Sequence, residues 1–235
     1  MAQENLGIPV LMYHQITSNE ADQYKVTVGA FTAQMKWLSD NGYKTITGAQ
    51  LTGIMTGAIK RPPGRLIVIT LDDGWKDQLN ALSVLDRYKY KAVFAIIAGV
   101  PGADPQYLSW DDIRMIAAAG HEIASHSYTH DDDAVKASSI VASNYVIERE
   151  LKKRPLAIVW PYGKFDAKSV AIAKSEGFTS AYMAWFNGGS PWATVGGDVF
   201  SIPRILVDGR CDLPFFAKSV EHGQLDATLC PIRNQ

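Results

Sequence analysis

The chain has 235 residues, with 23 Lys+Arg against 24 Asp+Glu and a formal net charge of −1, which excludes a strongly basic nucleic-acid binder and an acidic disordered tail. Apolar residues make up 47% of it, enough for the core of one large domain. No apolar run approaches the roughly 18 residues that a membrane-spanning helix needs, the longest being Ala92 to Val100.

In chain order, Met1-Ala2-Gln3-Glu4-Asn5 lacks the basic and apolar regions of a secretory signal, so the protein is intracellular or its signal is outside this sequence. A strand is expected over Pro9 to Tyr13. Phe31, Met35 and Leu38 at helical spacing predict a helix that Gly42 stops. Strands follow at Tyr43 to Ile46 and Leu66 to Leu71. Leu66-Ile67-Val68-Ile69 is a continuous apolar run, as expected where both faces of a parallel sheet are covered. Gly74 permits a tight turn into a helix from Lys76.

Another strand is expected over Ala92 to Ile97. Ser109 caps a helix that opens Trp110-Asp111-Asp112-Ile113 and closes at Gly120. Strands at Glu122 to Ser125 and Ala157 to Trp160 flank Lys152-Lys153-Arg154, a basic run short enough to be a solvated helix end. Asp166 opens a helix over Ala167 to Glu176 that Gly177 ends, and strands follow at Thr179 to Met183 and Ile202 to Val207. No linker or repeat interrupts the alternation, which predicts one domain over residues 1–235, built as a β/α barrel or a doubly wound sheet. Cys211 and Cys230 permit either a disulfide closing the tail or two free thiols.

In such folds chemistry collects at the C-terminal ends of strands, and three ends here are polar. The first is Thr70-Leu71-Asp72-Asp73-Gly74. Successive side chains of an extended segment alternate, so one carboxylate can hold a metal while the other faces substrate, although the same residues also make an ordinary capped turn. The second is Ser125-His126-Ser127-Tyr128-Thr129-His130-Asp131. Its two histidines share one side if the segment turns helically after His126, and with a carboxylate they form a three-ligand set with open positions. The third is Val159-Trp160-Pro161-Tyr162-Gly163. Trp160, Pro161 and Tyr162 offer a rigid wall for a sugar ring, and the main-chain N–H after the proline can donate to an oxyanion.

These stretches resemble the polysaccharide deacetylases, carbohydrate esterase family 4. Thr-Leu-Asp72-Asp73-Gly is similar to the family's Thr-Phe-Asp-Asp-Gly motif. Ser-His126-Ser-Tyr-Thr-His130 is similar to its His-Ser/Thr-x-x-x-His motif, about fifty residues further on. The resemblance implies a distorted, TIM-like (β/α) barrel of about seven strands, covering residues 8 to 208. It also implies that Asp72 is the general base and that Asp73, His126 and His130 hold one divalent ion. That ion is expected to be zinc, with nickel, cobalt or iron as alternatives.

Pro9-Val10-Leu11-Met12-Tyr13-His14 narrows the match. It resembles the branch that de-N-acetylates poly-β-1,6-N-acetylglucosamine, a biofilm exopolysaccharide, in which the general-acid motif lies on the first strand; His14 would then be the acid. The family's Arg before the third motif is replaced here by Val159, and its Asp/Trp motif has no match. Arg204 is therefore the candidate partner that supports Asp72. The expected partner is an acetylated polysaccharide, with chitin, peptidoglycan and acetylxylan as alternative substrates and a non-catalytic carbohydrate-binding relative as the alternative class. No nucleic-acid partner is expected, and the expected location is periplasmic or extracellular.

Overall fold

The computed structural model describes residues 7–130, 136–184, 190–223 and 230; Met1 to Asn5 and Asp131, named above, lie outside them. The elements run β1 (Val10–Tyr13), β2 (Gln15–Thr17), β3 (Lys25–Thr27), α1 (Val28–Asp40), β4 (Tyr43–Thr45), α2 (Gly48–Met55) and β5 (Arg65–Leu71). A 3-10 turn, Lys76–Gln78, leads into α3 (Leu79–Arg87), then β6 (Val93–Ile96), α4 (Trp110–Ala118), β7 (Glu122–Ser125) and α5 (Ala137–Leu151). β8 (Ala157–Val159), a 3-10 turn at Pro161–Gly163, α6 (Ala167–Ser175), β9 (Ser180–Tyr182), β10 (Ile205–Leu206) and α7 (Leu213–His222) complete the described chain.

Seven parallel strands pair in the order β10-β1-β5-β6-β7-β8-β9, and β4 adds to the N-terminal part of β5. The sheet curls until its two ends meet, giving the distorted barrel. Ile202 bridges Tyr182 of β9, and three residues later Ile205 pairs with Leu11 of β1. The strand expected over Ile202 to Val207 is thus broken in the middle. Pro203 has no N–H to give a ladder, and the break leaves Arg204 at the seam between the barrel's two ends.

Side chains alternate across every strand. Leu11, Tyr13, Ile67, Ile69, Phe94 and Ile96 pack outward against Phe31, Met35, Leu38 and Leu85 of the helices. Val10, Leu66, Val68, Val93, Ala95, Ala124, Ala157 and Val159 fill the interior. Continuing the interior parity past the strand ends brings His14 after β1, Asp72 after β5 and His126 after β7 to the top of the barrel.

The expected caps are in place. Ser109 and Asp112 form a reciprocal capping box on α4, as do Asp166 and Ser169 on α6. The helix expected from Lys76 begins with a 3-10 turn and becomes α-helical at Leu79. β2 and β3, a short parallel ribbon beside the barrel mouth, were not expected. No described helix is long and apolar enough to cross a membrane.

Cys211, just before α7, and Cys230 form a disulfide with Cα atoms 5.2 Å apart. Closing a loop of sequence separation 19 is expected to stabilise the fold by about 3 kcal/mol through the unfolded chain. The denatured, unreduced protein should therefore show no titratable thiol, and reduction should lower the melting temperature by several degrees. Two reactive thiols before reduction would contradict the bridge.

Candidate active site

The mouth of the barrel opens into a cavity of about 580 Å³ that Asp72, Asp73, His126, His130, His14 and Arg204 all line. Each reaches it by a specific turn of the chain. Asp73 sits at φ 74° and Gly74 at φ 80°, so the chain reverses sharply after β5 and swings the second carboxylate to the opposite side from the first. A Cβ on Gly74 would lie 3.2 Å from Ile96 Cδ1, on a backbone that L residues resist, so only glycine turns here without strain. Past β7, Ser127 at φ 61° and His130 at φ 57° fold a loop held by Ser127 N–H on Ser125 Oγ at 3.2 Å and His130 N–H on Ser127 Oγ at 3.0 Å.

The helical turn expected after His126 is therefore replaced by a serine-braced loop. The two rings still converge, with centroids 4.7 Å apart. Among the described non-glycine residues with positive φ, Asp73, Ser127, His130 and Tyr162 all belong to this mouth; strain gathered in one place is characteristic of functional sites.

Asp73 Oδ1 lies 3.3 Å from His126 Nε2 and 3.5 Å from His130 Nε2. Two donors each about 2.1 Å from one ion at a tetrahedral angle stand about 3.4 Å apart, so the three atoms fit a single divalent cation. Two of the three are held by their other atoms. The His126 Nδ1–H donates to Val159 O at 2.8 Å, which turns the Nε2 lone pair inward, and Trp75 Nε1–H donates to Asp73 Oδ2 at 2.8 Å, leaving Oδ1 buried with no hydrogen-bond partner. Electrostatics agree. Burial opposes ionisation of Asp73, but His126, His14 and His130 outweigh it and hold the carboxyl far below its usual range. Burial likewise opposes a charge on His126, yet Asp73 and Asp72 prevail and raise it. A site that draws a proton onto an imidazole this strongly is also favourable to a metal cation. Asp73, His126 and His130 form the one such cluster found among the described residues.

Asp72 has a different environment. Arg204, itself 1% exposed, holds it through two parallel bonds, Nη1–H to Oδ1 at 2.7 Å and Nη2–H to Oδ2 at 2.8 Å. The guanidinium is fixed in turn by Nη1–H to Thr70 Oγ1 at 3.0 Å and Nε–H to Met183 O at 2.6 Å. Burial works against the Asp72 charge, and Arg204 with His126 overcomes it and keeps the carboxyl below its ordinary value. Arg204 thus reaches Asp72 from the seam of the barrel.

His14 stacks edgewise on Tyr24, ring centroids 4.9 Å apart, with its Nδ1 buried and unpartnered. Burial is the largest influence on it and pushes it down, against the pull of Asp72 and Asp73. His121, by contrast, accepts from Ala92 N–H at the other end of the barrel, and His222 lies at the end of α7 in a cleft with Pro9 and Leu66, also far from the mouth.

Of the expected aromatic wall, Trp160 and Tyr162 line the cavity and Pro161 does not. Trp160 is buried, its Nε1–H donating to Phe200 O at 3.1 Å and its ring stacked on Phe165. Tyr162 is half-exposed and edge-on to His130 at 4.6 Å. Further aromatic surface comes from Trp75 and Tyr107, stacked 4.4 Å apart, and from Tyr24. Sequence reasoning missed these. The only hint was that Trp75 directly follows the Asp-Asp-Gly turn.

Residues 59–181, a little over half of the chain, match the family described as Polysaccharide deacetylase. The Bacillus subtilis (strain 168) protein YxkH, provisionally named a polysaccharide deacetylase, is 29% identical over 177 residues, 73% of this chain and 62% of that protein. The poly-β-1,6-N-acetyl-D-glucosamine N-deacetylase of Escherichia coli (strain K12) is 23% identical over an alignment covering 91% of this chain and 38% of its own length. The chain thus spans less than two thirds of either relative. Among solved structures, IcaB from Ammonifex degensii superposes with a TM-score of 0.79 at 22% identity, covering 93% of this chain and 97% of that one. A polysaccharide deacetylase from Bacillus cereus does so at 0.79 and 26% identity, covering 92% and 69%.

Proposed function

The chain belongs to the polysaccharide deacetylase family, and from that premise we propose that it removes N-acetyl groups from an N-acetylglucosamine polymer, poly-β-1,6-N-acetylglucosamine foremost. The observation that carries this reading is the convergence in one open cavity of a three-donor cation cluster, an arginine-tethered carboxylate and a histidine from the first strand. The relatives named for that polymer support the choice of substrate.

Asp73, His126 and His130 would hold the ion, and two imidazoles with a carboxylate suit zinc. Such an ion would supply Lewis-acid polarisation and lower the pKa of water towards neutrality. Asp72 takes the attacking water's proton, and Arg204 keeps it ionised and aimed. His14, on the cavity beside Asp72, passes a proton to the departing amine. The Tyr162 main-chain N–H, on the turn after Pro161, would donate to the oxyanion. Trp75, Tyr107 and Tyr24 provide the ring surface on which sugar units rest. The products are acetate and a glucosamine unit. The disulfide suits an oxidising location, so the protein acts outside the cytoplasm.

His126→Ala is expected to lower bound metal and acetate release together, because it removes one of three donors; metal content of the purified variant checks this, and a full complement would contradict the ligand set. Acetate release from poly-β-1,6-N-acetylglucosamine, chitin, peptidoglycan and acetylxylan, measured side by side, tests the substrate. The first should be favoured over the rest, and a preference for any other would overturn it.

A further inference from the structure

Gln78 is fully buried at the end of the 3-10 turn that follows Trp75. Its single amide nitrogen donates both its protons, one to the main-chain carbonyl of His14 at 2.8 Å and one to that of Asp72 at 2.5 Å. These two residues directly follow the neighbouring strands β1 and β5. The β1–β5 pairing ends at Tyr13 and Leu71, with Asp72 N–H on Tyr13 O at 2.9 Å as the last rung. Beyond that rung the backbones would be free to splay, and Gln78 joins them at the two residues that face the cavity.

A neighbouring side chain grips the same segment. Asn80 Nδ2–H donates to Ile16 O at 2.8 Å. Gln78 and Asn80, two residues apart, thus hold the carbonyls of residues 14 and 16, also two apart. Meanwhile Gln78 Oε1 is buried without a partner. A buried acceptor left unpaired is destabilising, and an apolar side chain of the same shape would avoid that. A carboxamide at this position stabilises chiefly through its nitrogen.

We propose that Gln78 is a positioning residue for deacetylation: through one nitrogen it ties the His14 carbonyl to that of Asp72, whose carboxylate Arg204 already holds, and so fixes the aim of His14. The inference rests on the reading of His14 as acid and Asp72 as base. Gln78 does not touch substrate; it acts through His14, whose segment lacks a ladder partner on the β5 side past Tyr13.

Gln78→Met and Gln78→Leu keep much of the side-chain volume and remove the donors. Each variant, loaded with metal, should release acetate from N-acetylglucosamine oligomers with kcat reduced about 10²-fold, the scale of a misplacement near 1 Å, and with KM little changed. Both should largely retain turnover of an aryl acetate, whose acidic leaving group needs no proton. A merely structural role would depress both substrates alike. The His14→Ala/Gln78→Met double variant should be no slower on the amide than His14→Ala alone, since a residue acting through His14 has nothing left to position.

Equal losses on amide and ester, or full additivity in the double variant, would overturn the inference, as would two variants too unstable to purify. If His14→Ala itself showed no amide selectivity, the acid assignment would fail, and the role of Gln78 with it. Selectivity in His14→Ala without it in Gln78→Met would sink only the latter.

Discussion

Asp72→Asn is expected to keep its metal and lose turnover by about two to four orders of magnitude, the usual consequence of removing a general base. An amide cannot accept the water's proton. The metal should stay because Asp73, His126 and His130 are undisturbed and Trp75 still orients Asp73. The same change should also destabilise the fold. Asn offers Arg204 one acceptor where the carboxylate gave two, and its NH₂ group faces the second guanidinium nitrogen. Breaking a buried pair from one side costs about 3–5 kcal/mol. Activity must therefore be read at low temperature, with metal content and folding measured on the same sample. Near-normal turnover in a folded, metal-replete Asp72→Asn protein would place the base elsewhere.

Arg204→Met should be nearly as damaging, from the opposite side. It leaves the Asp72 carboxylate charged or protonated in a barrel interior with no donor in place of the guanidinium, and it releases Thr70 Oγ1 and Met183 O at the seam. A loss of about 3–5 kcal/mol is expected by denaturant titration, together with a large fall in turnover as Asp72 loses its aim. Adding Asp72→Leu should restore much of the stability and none of the activity, because apolar residues replace a buried ion pair at little cost. A pH dependence follows. The Asp72 carboxyl is held below its ordinary value, so the stabilisation it brings is fully present above about pH 4 and is lost as pH falls through the folded-state value. The wild type should thus lose more stability in acid than Arg204→Met does. A single-variant loss below about 1 kcal/mol would show that the pair does not hold the seam.

Much of this arrangement is legible in the sequence because it rests on short-range rules. Leu66 to Leu71 reads as a strand buried on both faces, and alternation from it places Asp72 at the barrel top. Ser109 and Asp166 announce helix starts that the structure confirms by their reciprocal bonds. The Asp-Asp-Gly and His-x-x-x-His stretches are each ambiguous alone, and their pairing at strand ends points to a cation cluster.

Long-range pairings are less accessible. Arg204 could be named as a candidate but not given its geometry, since its bonds to Asp72 span 132 positions and depend on how the barrel closes. Trp160 is ambiguous in the sequence because an aromatic at a strand end serves equally as core or as wall, and here it both packs against Phe165 and Phe200 and lines the cavity. Gln15-Ile16-Thr17 and Lys25-Val26-Thr27 alternate as strands do, but three residues are too few for periodicity to register. Gln78 carries no local signal at all, because a buried glutamine looks like any polar residue at a helix start.

The most direct test of the account is acetate release from poly-β-1,6-N-acetylglucosamine oligomers by the purified protein, stripped with chelator and then titrated with zinc. Activity should vanish on stripping and return in proportion to metal up to one ion per chain, with no recovery in the His126→Ala protein. Undiminished release by the metal-free protein, or recovery in the variant equal to wild type, would contradict it.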